Sequence, residues 1–162
     1  PEAQLDRFLM QVNVSYPDAE AETRILKLAR REASGTTPAP PQPLTQEAVF
    51  KARQAVLSVH MAEAVEAYIV QLVIATREPG AYDNELSDWL EFGASPRATI
   101  ALDRCARANA YLHGRDYVSP DDVQAVVTDC LKHRLILSFE AEAAGVTRAQ
   151  VINRLLETVA VG

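Results

Sequence analysis

From Phe8 to Tyr16 every second residue is apolar: Phe8, Met10, Val12, Val14 and Tyr16, with Gln11, Asn13 and Ser15 facing the other way. That period of two is the signature of a strand with one buried face. Tyr16-Pro17-Asp18 ends it. No later stretch alternates over a comparable length. A strand without neighbours leaves its N–H and C=O groups unpaired and is not stable alone. This one feature therefore demands a sheet that the remaining residues do not encode. The expectation is that the sheet precedes Pro1 and that the chain is a C-terminal fragment of a longer protein.

Everything after Asp18 has helical spacing. A helix is expected over about Ala19–Glu32, with Ile25, Leu26, Leu28 and Ala29 as its apolar side. "SGTTPAPPQP", residues 34–43, reads as an extended Pro-rich linker. Thr45 can cap a helix reaching Leu57. "SVHM" (58–61) interrupts it, and a strongly apolar helix follows over about Ala62–Glu78 until Pro79-Gly80. Residues 80–92 read as a loop whose Trp89 and Phe92 plug the core. Further helices are expected over about 96–113, from Ser119-Pro120 onwards, and over about Thr147–Leu156. "HRLILSF" (133–139) leads into the last of these. The fold class is mainly α, a bundle of about five helices preceded by one strand–helix unit. The expected divisions are 1–33, a linker at 34–44, and a helical domain at 45–162.

Charge and motif content exclude several functions. A net charge of −6 disfavours broad nucleic-acid binding and anionic membrane surfaces. No apolar run approaches the length of a membrane span. Cys105 and Cys130 sit in apolar helical settings without metal-ligand spacing, and His60, His113 and His133 are scattered. No metal site is expected, and two buried free thiols suit a reducing, cytoplasmic setting. There is no G-x-x-x-x-G-K-[ST] or G-x-G-x-x-G, and Lys27, Lys51 and Lys132 lie inside helical stretches. The chain alone therefore lacks the parts of a P-loop phosphotransferase.

Two arginines are placed unusually. In "FGASPRA" (92–98), Gly93 makes a turn, Ser95 caps a helix, Pro96 takes its first position and Arg97 its second. A cation there opposes the helix dipole at about 0.3–1 kcal/mol. It becomes favourable when an anion arrives, because the guanidinium and the free first-turn N–H groups then act together. The structural alternative is an ion pair of Arg97 with Glu91 or Asp88. In "LDRF" (5–8), Arg7 stands just before the strand between Leu5 and Phe8, which look like anchors. An arginine so held could reach a neighbour's phosphate, or could simply pair with Asp6. Arg77, Arg107 and Arg134 read as solvated or as structural partners of acids.

Together "PEAQLDRFLM", "YPD", "GASPRA", "HGRDYVSPDDV" and "HRLIL" resemble, in order and along nearly the whole chain, the C-terminal half of MoxR-type AAA+ ATPases. The resemblance implies that the strand at 8–16 is the last of an α/β ATPase core and that residues 45–162 are its helical lid. It implies that Arg7 is the arginine finger, acting on an adjacent subunit. Arg97, set up by Gly93, Ser95 and Pro96, would be the sensor 2 arginine directed at nucleotide. It further implies ATP and magnesium as cofactors of the intact protein, with none bound by this piece alone. A homo-oligomeric, hexameric ring is implied too, as is a chaperone-like role in remodelling partners that carry von Willebrand factor A domains. Two other functions compete. One is a self-standing helical protein-interaction module; the other is DNA binding through the helices of Ser119–Ile136, which the net charge disfavours.

Overall fold

The computed structural model describes residues 2–36 and 42–161. Of the expected linker, residues 37–41 lie outside the described residues. The element order is α1 (Glu2–Leu5), α2 (Ala19–Ala33), α3 (Gln46–Ser58), α4 (Glu63–Arg77), a 3-10 turn (Pro79–Ala81) and α5 (Asn84–Trp89). Then come β1 (Leu90–Phe92), α6 (Pro96–Leu112), α7 (Pro120–Leu131), β2 (Ile136–Leu137), α8 (Phe139–Ala143) and α9 (Arg148–Thr158). The fold is a mainly helical bundle. Five helices of eleven residues or more follow residue 44 (α3, α4, α6, α7 and α9), as the periodicity predicts.

Local chemistry sets their ends. Thr45 accepts the Ala48 N–H at 3.1 Å, and Thr147 exchanges bonds with Gln150 in a capping box. Ser119 donates its backbone N–H to Asp122 at 2.8 Å, with Pro120 at the first helical position. Gly114, at φ +72°, turns the chain out of α6, and Arg115 N–H closes onto Ala110 O.

The core runs from Val59 to Val159. α4 contributes Val65, Tyr68, Ile69, Leu72 and Val73. α6 contributes Ala98, Ala101, Leu102, Cys105, Ala106 and Ala110, and its alanines let α7 approach closely with Val123, Val127, Cys130 and Leu131. α9 closes the bundle with Val151, Ile152 and Leu155. The buried Asp122 inside this assembly is neutralised by Arg115, which grips both its oxygens at 2.5 and 2.6 Å. Asn109 and Ser119 also donate to it. The "HGRDYVSPDDV" run thus has a structural purpose, because a buried carboxylate left unpaired would be costly.

Three readings of the sequence are corrected. Residues 8–16 are not a strand: the segment beyond Leu9 forms neither helix nor ladder, and Val14 and Tyr16 are 92% and 97% exposed. Alternation specifies a face, not a partner, and the two strands present among the described residues pair with each other. Those two strands are the second correction, since residues 80–92 and 133–139 were read as connections. Leu90 lies opposite Leu137 and Phe92 opposite Ile136, antiparallel, with an irregularity between. Ser138 extends the junction by donating its N–H to Trp89 O at 2.9 Å. Third, Leu5 and Phe8 are not anchors and Phe92 is not a core plug, for all three side chains are exposed. Trp89 does pack against the core.

Candidate functional site

The turn before α6 is built from two sides. Gly93 lies so close to the end of α4 that a Cβ there would meet Thr76 O at 2.2 Å. Only glycine fits this approach. Ala94 N–H then donates to Thr76 Oγ1 at 3.0 Å, and Arg77 Nε donates to Ala94 O at 2.6 Å. Ser95 caps α6 by accepting the Arg97 N–H at 3.2 Å, and Pro96 occupies the first position. Gly93, Ser95 and Pro96 therefore do locally what their order in the sequence requires.

An anion meets this helix start, and it comes from the chain itself. The Asp6 carboxylate accepts the Ser95 hydroxyl at 2.8 and 2.9 Å, Arg97 Nη1 at 3.1 Å and Arg134 Nε at 3.1 Å. Burial alone would raise the Asp6 pKa; the bonds from Ser95, Arg97 and Arg134 reverse this and hold it below its ordinary value. The partner of Arg97 is thus Asp6, not Glu91 or Asp88. That pair engages one nitrogen of a side chain that stays 57% exposed, so it is worth about 0–1 kcal/mol.

Arg134 is the buried member, its side chain 2% exposed. Besides Asp6 Oδ1 it bonds four backbone carbonyls. Nη2 donates to Asp6 O at 3.1 Å and Phe8 O at 2.5 Å, while Nη1 donates to Leu9 O at 3.3 Å and to Cys130 O. All five guanidinium donors are occupied. His133 Nε2 adds a donor to Phe8 O at 3.3 Å, and Gln11 N–H donates to Asp129 O at 2.9 Å. Burial, followed by the nearby Arg134 charge, pushes the His133 pKa down. The loop carrying Arg7 is thereby fixed through its backbone to the end of α7. Arg7 itself is exposed, and its side chain meets no bonding partner among the described residues. A cleft of about 690 Å³ with mixed polar and apolar walls opens beside this cluster, bordered by Asp6, Gly93, Ser95, His133, Arg134 and Arg148.

The structure therefore brings Gly93, Ser95, Pro96, Arg97 and the residue before Arg7 into one cluster. Asp6 and Arg134 are the residues that sequence reasoning undervalued. Asp6 read as a surface partner of Arg7, and Arg134 as one structural arginine among several. The available signal was "HR" directly after α7, where arginine favourably meets terminal carbonyls. Among the described residues no three His, Cys, Asp or Glu side chains gather as metal ligands, and no helix is long and apolar enough to cross a membrane.

Helices packed around a capped α6 whose first turn presents an arginine, with a short two-stranded ladder beside them, define an AAA lid domain. Residues 86–155 match the AAA lid domain family. The chain is 40% identical over 161 residues to Chaperone MoxR1 of Mycobacterium tuberculosis, covering 99% of this chain and 42% of that protein. It is 33% identical to Protein MoxR of Methylorubrum extorquens, covering 98% of this chain and 48% of the relative. A crystal structure of a provisionally assigned ATPase from Cytophaga hutchinsonii superposes with a TM-score of 0.92 at 39% identity, covering all of this chain and 49% of that one. Over nearly its whole length this chain is similar to MoxR-type AAA+ proteins, and it spans about half the length of the relatives it matches.

Proposed function

We propose that this chain supplies the lid and the finger segment of a ring-forming, chaperone-like ATPase that couples ATP hydrolysis to remodelling of partner complexes. Residues 1–33 are assigned to the ATPase core, 34–44 to the linker and 45–162 to the lid. The observation that carries this reading is the pairing of two outward-facing guanidinium groups with one cluster. Arg97 stands in the first turn of α6, and Arg7 sits next to the aspartate that bonds it. Arg97 offers ATP phosphates a forked donor set beside the Ser95 cap and the positive end of α6. The weak Asp6 pair yields readily to a polyphosphate. Arg7, exposed on its fixed loop, reaches the γ-phosphate held by an adjacent subunit and stabilises charge on the transferring phosphoryl group.

Among the described residues no cluster of three His, Cys, Asp or Glu side chains could hold magnesium; ATP and its metal would be held chiefly by other parts of the intact protein. By likeness to the MoxR relatives, the intact protein would work as a homo-oligomeric, hexameric ring in the cytoplasm. Its partners would be proteins with von Willebrand factor A domains. The test is steady-state ATPase turnover of Arg7→Ala and Arg97→Ala in the intact protein. Arg7→Ala is expected to lose about 10³-fold or more, and Arg97→Ala to lose activity with weaker nucleotide binding. Near wild-type turnover in both folded variants overturns the assignment.

A further inference from the structure

We propose that Arg134 is the positioning residue for Arg7: one buried guanidinium holds the backbone on both sides of the finger so that its side chain is presented at a fixed height and angle. The inference rests on the proposed role of Arg7. It starts from an oddity of donor use. A buried arginine needing only neutralisation would be satisfied by one carboxylate. Arg134 instead spends four of its five donors on the segment 6–9 and the last on Cys130 O. The carbonyls it takes belong to Asp6, Phe8 and Leu9, which bracket residue 7. The flanking apolar side chains do not hold the loop, since Leu5 and Phe8 are exposed. Without Arg134 the loop would keep its own turn bonds, the His133 bond, the Gln11 bond, the Asp6 contacts to Ser95 and Arg97 and the packing of Met10 against the core, none of which holds the carbonyls of Asp6 and Leu9 on either side of Arg7.

The fork geometry is essential. Lysine would retain the charge, but a single ammonium cannot meet three carbonyls and a carboxylate set along four residues. Arg134 would thus act on catalysis only through Arg7, by preorganising it. Preorganisation matters because a misplacement of about 1 Å can cost roughly 10²-fold in rate. Because Arg134 shares Asp6 with Arg97, the clean reading is in an Arg97→Ala background, where loss of the clamp should lower kcat and leave the KM for ATP nearly unchanged.

A double-mutant cycle in the intact protein tests this. Arg134→Lys and Arg134→Gln are measured alone and combined with Arg7→Ala, with thermal melts confirming the fold. The expected result is a fall in kcat of roughly 10–100-fold for the Arg134 variants, a KM within about twofold, and no further fall once Arg7 is alanine. If the Arg134 effect persists undiminished in the Arg7→Ala background, or if kcat is unchanged, the inference is overturned while the finger assignment stands. If Arg7→Ala alone is fully active, the finger assignment fails and this inference falls with it. Should both Arg134 variants fail to fold, Asp6→Asn, which leaves Arg134 in place, carries the cycle. It is read in an Arg97→Ala background, which removes effects through Arg97, and then with Arg7→Ala added to that background. A kcat loss abolished there supports the clamp, and one that persists refutes it.

Discussion

Gly93→Ala is the most informative single change, because its cost follows from distances alone. The added methyl would lie 2.2 Å from Thr76 O, 2.4 Å from Thr76 C and 2.7 Å from Arg77 N. All three atoms are backbone at the end of α4, so no side chain can swing aside. Forced overpacking of this kind costs about 1–3 kcal/mol. A partial retreat of the loop adds the loss of one or both of the Ala94 bond to Thr76 Oγ1 and the Arg77 bond to Ala94 O, each worth about 1 kcal/mol. The sum is about 2–5 kcal/mol. At roughly 2–4 °C per kcal/mol for a chain of this size, Tm falls by about 5–20 °C. Thermal unfolding followed by circular dichroism reads this directly. Gly80→Ala is the control, because its methyl would sit 3.4 Å from the movable Ser87 hydroxyl, and its Tm should stay within about 2 °C of wild type. A Gly93→Ala protein melting with that control would refute the close-approach account of this turn.

Removing the buried charge partner by Asp122→Asn should destabilise by about 3–5 kcal/mol, seen as a lower denaturation midpoint with unchanged m-value. Burial would raise the Asp122 pKa, but the Arg115, Ser119 and Asn109 bonds hold it well below the usual carboxylate range. A depressed folded pKa gives stability that is complete above the unfolded value of about 3.9 and is lost as pH falls further. Wild-type Tm should therefore be flat above about pH 5 and drop below about pH 4, with Asp122→Asn showing a shallower acid limb. Leu72→Ala, at a fully buried site, should cost about 2–5 kcal/mol in the same assay. Cys105 and Cys130 are both buried, and the hydrogen bond to Cys105 together with burial pushes the Cys130 thiol far up. Neither should react with an aromatic disulfide reagent until the protein unfolds.

Much of the architecture is local and could be read from the chain. Thr45, Ser95, Ser119 and Thr147 cap the helices they precede. The 3.6-residue spacing of Val65, Tyr68, Ile69, Leu72 and Val73 marks the buried face of α4. What could not be read depends on distant pairing. β1 and β2 are three and two residues long, too short for alternation to register, and they exist because each supplies the other's hydrogen bonds. The Phe8–Tyr16 alternation is the reverse case, a strong local pattern without a partner edge. At the site, Ser95 and Arg97 were identifiable from helix-start chemistry. Asp6 joins them from 89 and 91 residues away, and Arg134 reaches Asp6 across 128. No local rule connects positions so far apart. The same distance hid Arg134, whose five-donor grip is on backbone carbonyls that carry no residue-specific signal.

The junction of α4 with the start of α6 bears on how such a lid can move. Thr76 and Arg77 in the last turn of one helix are bonded to the residue just ahead of the cap of the next. A guanidinium mounted three residues beyond that weld rides on backbone that cannot shift apart from α4. If Arg97 meets a phosphate as proposed, its approach and retreat would carry the helical body with them, so that seating one cation and swinging an entire lobe would become the same mechanical event.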